Sequence, residues 1–116
     1  HRDRVLADAK ARALALAEGY AAGTPARVAL PGAPGRAALE AAVAQRVEAG
    51  TLTAHDAVVA GHIARVVTGG DCAPGAQVSE QALLDLERAE FLALLGYGAT
   101  LERIEHMLKT GRPLRN

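Results

Sequence analysis

With 116 residues, the chain has room for one modest core and excludes a large multi-site enzyme. Half of the residues are apolar, but only 3% are aromatic, none is Trp and 27 are Ala, so the expected fold is all-α, with helices that approach closely and bury little area. Thirteen basic and thirteen acidic residues cancel, removing the charge excess that non-specific nucleic-acid or anionic-membrane binding uses.

In chain order, apolar spacing and terminal glycines predict about five amphipathic helices and no strand. The first spans about 3–18, with Val5, Ala9, Ala13 and Leu16 on one face and Gly19 closing it. Residues 20–35 hold three prolines and several glycines, which predicts a long connector that no helix crosses. A second helix, about 36–49, presents Leu39, Val43 and Val47 and stops at Gly50. The third opens at Thr53, with Asp56 placed for a capping box, carries the stripe Val59, Ile63, Val66 and Val67, and ends at Gly69-Gly70. Ser79 caps a fourth helix to about Leu95, with Val78 and Leu83 positioned as a hydrophobic staple. Thr100 is expected to cap the last helix, with Leu101, Ile104 and Leu108 on one face and Gly111-Arg112-Pro113 after it. No apolar run approaches the length of a membrane span and no signal-peptide core follows His1, so a cytoplasmic location is expected.

Few residues offer chemistry. Gly69-Gly70 follows a helix instead of a strand, so it reads as a helix stop and not as a phosphate cradle. His55 and His62 lie seven apart, about 10 Å along a helix axis, too far to share one metal ion; they read as polar residues at the edge of the packed face. His106 falls opposite the apolar stripe of the last helix and is expected in solvent. The single cysteine, Cys72, has no internal disulfide partner and no neighbouring histidine to activate it. Glu87 stands out, projecting among Leu83, Leu84, Phe91 and Leu94 on the fourth helix. A carboxylate there is a buried structural charge met by an Arg, a His or backbone amides, a general acid or base, or a sign that the face is not fully covered.

Two stretches carry a family resemblance: Ser79 to Leu95, reading SEQALLDLERAEFLALL, and Leu101 to Asn116, reading LERIEHMLKTGRPLRN. With Val5 to Leu14 and the turn Leu52-Thr53-Ala54-His55-Asp56, they resemble the C-terminal end of bacterial 3-hydroxyacyl-CoA dehydrogenase/enoyl-CoA hydratase fusion proteins of fatty-acid β-oxidation. The last two helices are also similar to the end of ordinary crotonases, where a Glu, a Phe four residues on and a charged terminal helix recur; Glu87 and Phe91 fall on that Glu and Phe.

The resemblance implies that residues 1–116 are the C-terminal helical domain of a larger enzyme, covering the CoA site and supporting subunit contacts. It implies Phe91 and Lys109 at the CoA edge, although a plain core aromatic is an equal reading of Phe91. Crotonases carry a Lys-Arg pair at that helix end, whereas Thr110-Gly111-Arg112 follows Lys109 here. No catalytic residue, metal or cofactor is expected in the chain itself. NAD and a CoA thioester belong to the parent enzyme, and the implied partners are its upstream domains, a second copy and acyl-CoA. The rival expectation is an autonomous helical protein–protein interaction module. A helix-turn-helix around 55–67 has no Arg-rich recognition helix and no net charge to support it.

Overall fold

The computed structural model describes residues 2–116, with side chains from Arg4 onward. Its order is α1 (Arg2–Ala17), β1 (Arg27–Leu30), α2 (Gly32–Glu48), α3 (Ala54–Val67), β2 (Ala76–Ser79), α4 (Glu80–Leu94) and α5 (Gly98–Thr110). The chain is therefore mostly helical, as its composition requires. The caps of α3 and α4 lie where the sequence places them. Thr53 accepts from the Asp56 amide while Asp56 accepts from the Thr53 amide, completing a capping box, and Ser79 accepts from the Ala82 amide at 3.2 Å.

Three expectations are corrected. The segment 20–35 contains a strand, β1, which pairs antiparallel with β2 in the register Arg27↔Ser79 to Leu30↔Ala76. The same segment also holds the first turn of α2, which starts at Gly32; Pro34 is accommodated because the amides of a first helical turn have no intrahelical acceptor. Finally, α5 starts at Gly98 and not at Thr100, because the Thr100 side chain is buried and committed elsewhere: its Oγ1 lies 3.0 Å from His55 Nε2.

The centre of the fold is a close backbone crossing. Where β1 turns into α2, the Gly32 amide donates to the Thr68 carbonyl at 3.0 Å, and the Gly75 amide donates to the Leu30 carbonyl at 2.7 Å. Thr68 is 1% exposed, its hydroxyl turned back onto the Ala64 carbonyl, with Leu30 and Ala64 also buried. Glycine is required at two positions here. Gly69 has φ +83°, and a Cβ on it would lie 2.8 Å from Leu30 Cδ1; Gly32 has φ +62°, and a Cβ there would collide with the Cys72 carbonyl.

The apolar residues that the helical pattern marks for burial are largely outside. Ile63 and Val67 are 55% and 51% exposed, so the inner seam of α3 is instead His55, Ala64 and the C-capping Thr68. The apolar face of α1 meets no partner: Leu6 is 82% exposed, and every described α1 side chain is exposed. The chain exposes 8572 Å², against about 6000 Å² for a compact monomer of its mass, and its radius of gyration is 20.7 Å against about 13 Å.

Polar links attach α5. Arg103 pairs with Asp56 at 2.8 Å, and its guanidinium also donates to Thr53 Oγ1 and to the side chain and backbone of Asn116. The backbone hydrogen bond from Thr53, followed by the Arg103 guanidinium, lowers the Asp56 carboxyl to about 2.

Two outcomes follow. Gly32→Ala, which combines a positive φ with a backbone collision, lowers stability by more than about 2 kcal/mol in urea titration, whereas Gly50→Ala, at φ +69° with open space, costs about 1 kcal/mol. The stabilisation from ionised Asp56 is complete above its ordinary value of 3.8 and is lost as pH falls through about 2, so Asp56→Asn flattens the decline of Tm between those values. Asp71, also held below its ordinary value by Arg36 and then Arg65, preserves part of that decline in the variant.

Candidate functional site

The side of α4 that packs against the core is the seam Leu83, Leu86, Glu90 and Leu94, spaced three and four residues apart and partly buried. Leu86 rests against Gly70, in the turn that follows α3. Because this seam faces α3, the next arc of α4, with Leu84, Glu87 and Phe91, is turned outward and is exposed. The expected buried charge at Glu87 is therefore corrected: of the readings open from sequence, that of an incompletely covered face holds.

The carboxylate that does enter the packing is Glu90. Its side chain is 15% exposed and receives two partners from α3, His62 Nδ1 at 2.6 Å and Arg65 Nε at 2.8 Å. Arg65 also bonds Asp71, which in turn receives Arg36 of α2 at 3.1 Å. The chain of charges Glu90–Arg65–Asp71–Arg36 thus links α4, α3, the following loop and α2. Tyr97, at the junction between α4 and α5, places its ring 6.1 Å from that of His55 and 6.0 Å from that of His62.

Two grooves flank this network, and His62 borders both. The larger, about 720 Å³, lies along the outer side of α3 and α4 and is walled by Ile63, Val66, Leu84, Glu87, Phe91 and Leu94. The smaller, about 440 Å³, is lined by Arg36, Glu40, Arg65, Glu90 and Tyr97, whose charges are already paired with one another or with Asp71. Neither groove is lined by Ser, Thr or Cys, so neither presents an oxygen or sulfur nucleophile of those types. The His62–Glu90 pair fixes the orientation of the imidazole through its Nδ1.

The two residues expected at a CoA edge are not brought into one cavity. Phe91 is half exposed in the larger groove. Lys109 is on α5, ion-paired with Glu105, beside a separate hollow of about 240 Å³ that also involves Glu102 and His106. His106 is half-buried there, correcting its expected position in solvent. Cys72 is half-buried, with its thiol directed at the Thr68 carbonyl beside Gly69.

No three His, Cys, Asp or Glu side chains among the described residues are grouped as a metal site. The turn from β1 into α2, Pro31-Gly32-Ala33-Pro34-Gly35, has the strand–glycine–helix order of a nucleotide-phosphate loop, but it does not fit the NAD pyrophosphate. Pro31 and Pro34 have no amide hydrogen, the Gly32 amide is bonded to Thr68, and the Cys72 backbone fills the approach to Gly32. No helix among the described residues is long and apolar enough to cross a membrane.

Glu90→Gln removes the carboxylate that Arg65 and the His62 ring share in a largely buried position. The expected loss is about 1–3 kcal/mol in urea titration, larger than for Glu87→Gln, whose side chain is in solvent.

No family model matches the chain, and no solved structure matches it. Among curated proteins, it is 38% identical over 117 residues to a probable 3-hydroxyacyl-CoA dehydrogenase of Bacillus subtilis (strain 168). The match takes in the whole of this chain and 15% of the length of that protein. The chain is thus related to a part of a 3-hydroxyacyl-CoA dehydrogenase.

Proposed function

We propose that these residues form the helical region that completes the hydratase part of a 3-hydroxyacyl-CoA dehydrogenase/enoyl-CoA hydratase of fatty-acid β-oxidation. In this reading residues 1–116 are one helical domain. It lies against the catalytic domains of the same polypeptide, closes over the CoA end of the substrate site and supports contacts between subunits. It contributes no complete catalytic centre. The parent protein adds water across the 2,3 double bond of an enoyl-CoA and oxidises the resulting 3-hydroxyacyl-CoA with NAD, both at residues outside this chain.

One observation carries the reading: a chain that aligns in full with part of a dehydrogenase leaves its large apolar side chains on the outside. In the glycine turn of α2 the Gly32 amide is already bonded and Pro31 and Pro34 have none to offer, which supports placing NAD elsewhere. Phe91 and Lys109 remain the residues proposed for the CoA edge, as two separate contacts. The exposed ring of Phe91 is available to stack, and the solvent-exposed Lys109–Glu105 pair is weak enough to be exchanged for a phosphate.

The test uses the Bacillus protein and this chain in parallel. The isolated chain is expected neither to hydrate crotonyl-CoA nor to reduce NAD with a 3-hydroxyacyl-CoA. Deleting the matching segment from the full protein is expected to lower crotonyl-CoA hydration by at least about tenfold. In the full protein, alanine at the positions of Phe91 and Lys109 raises KM for the acyl-CoA with little change in kcat. Hydration by the isolated chain at a rate near that of the full protein, or full retention of hydration after the deletion, overturns the reading.

A further inference from the structure

We propose that two copies of this chain associate by exchanging α1, each copy's helix lying along the outer α3/α4 groove of the other. Both surfaces are bare in the single chain. On α1, Val5, Leu6 and Leu16 are 63%, 82% and 62% exposed; in the groove, Ile63 and Leu84 are 55% and 49% exposed.

The two surfaces match in shape, length and charge. At 100° per residue, Val5, Leu6, Ala9, Ala13 and Leu16 form one arc of α1, and its two alanines allow a close approach to another helix. Lys10 and Arg12 flank this arc on either side. Along the groove, α4 presents Asp85 and Glu87 with Arg88 as its one cation, Glu90 being already paired with His62 and Arg65, while the side of α1 beyond Arg12 carries Asp8. A basic-edged helix therefore meets an acidic-edged groove. The 16 residues of α1 extend about 24 Å, and the groove from Gln81 to Leu94 extends about 20 Å at 1.5 Å per residue.

The connector permits the exchange. Residues 18–26 are exposed, include Gly19, Gly23 and Pro25, and reach about 30 Å when extended, enough to carry α1 away from its own body. The excess of about 2600 Å² over a compact monomer is more than the roughly 800 Å² per partner of an ordinary stable interface, as two seated helices per dimer require. Phe91, on the same groove wall, would stand where the partner helix and the CoA end of a substrate meet. The inference rests on the subunit-contact part of the proposed function and not on acyl-CoA chemistry.

The experiment is sedimentation equilibrium of the full 116-residue chain between about 1 and 100 µM, where the mass is expected to rise from 12.0 kDa to twice that value. Leu6→Glu with Leu16→Glu on α1, and separately Leu84→Glu in the groove, are each expected to weaken the dimer at least about tenfold. At a concentration below that at which the wild-type chain dimerises, the α1 pair should leave the urea midpoint of the α2–α4 core unchanged, which separates lost docking from lost folding. In a Cys72→Ser background, a Leu16→Cys chain mixed with a Leu84→Cys chain is expected to form the mixed disulfide on oxidation. A monomer throughout, a dimer indifferent to these substitutions, or a disulfide formed only within one chain carrying both cysteines overturns the exchange. None of these outcomes alters the deletion result that tests the β-oxidation reading.

Discussion

The rest of the structure depends on the hydrogen bond from the Gly32 amide to the Thr68 carbonyl. It joins the turn leaving β1 to the end of α3, and it forms only because Gly32 and Gly69 have no side chains to hold the two backbones apart. With that crossing in place, β1 reaches β2, α2 is laid against α3, and Gly70 presents a flat surface on which Leu86 of α4 comes to rest. Few large side chains are needed at such a junction. Leu30 and Ala64 are the fully buried hydrophobic residues among those described, and Thr68 occupies the most enclosed position.

A core this small leaves adhesion to polar groups. The helices are joined by Glu90 between His62 and Arg65, by Asp71 between Arg65 and Arg36, by His55 on Thr100, and by Arg103 across Asp56 and Asn116. Such links are directional, so they fix how the helices are oriented without excluding much water. The larger apolar side chains are thereby left for surfaces outside the core. That division of labour leaves the chain with an apolar groove along α3 and α4 and an uncovered first helix.

The helices were legible because their boundaries are local. Thr53 with Asp56, Ser79 with the amide three residues on, and glycines after the second and third helices all act within one turn. The sheet was not legible: four residues per strand give too short an alternation to register, and the partners are about fifty positions apart. Thr100 has the local context of a helix cap, and nothing in its neighbourhood announces His55 as a competing partner. On α4 the apolar arc is broader than the face that packs, so periodicity alone pointed to Glu87. Leu83, Leu86, Glu90 and Leu94 satisfy the same spacing, and the available clue was that Glu90 is a second carboxylate within that alternative seam. His62 and Arg65, three apart on α3, were the matching signal from the other side, visible only once the two helices are known to face each other.

The position of Tyr97 has an optical consequence. The chain has no Trp and two Tyr, and Tyr20, on the connector, is 76% exposed. Tyr97, 44% exposed at the junction of α4 and α5, is the phenol ring set 6.1 and 6.0 Å from two imidazoles of α3. Its emission under ultraviolet excitation amounts to a built-in gauge of whether the last helix remains seated, readable without attaching a dye.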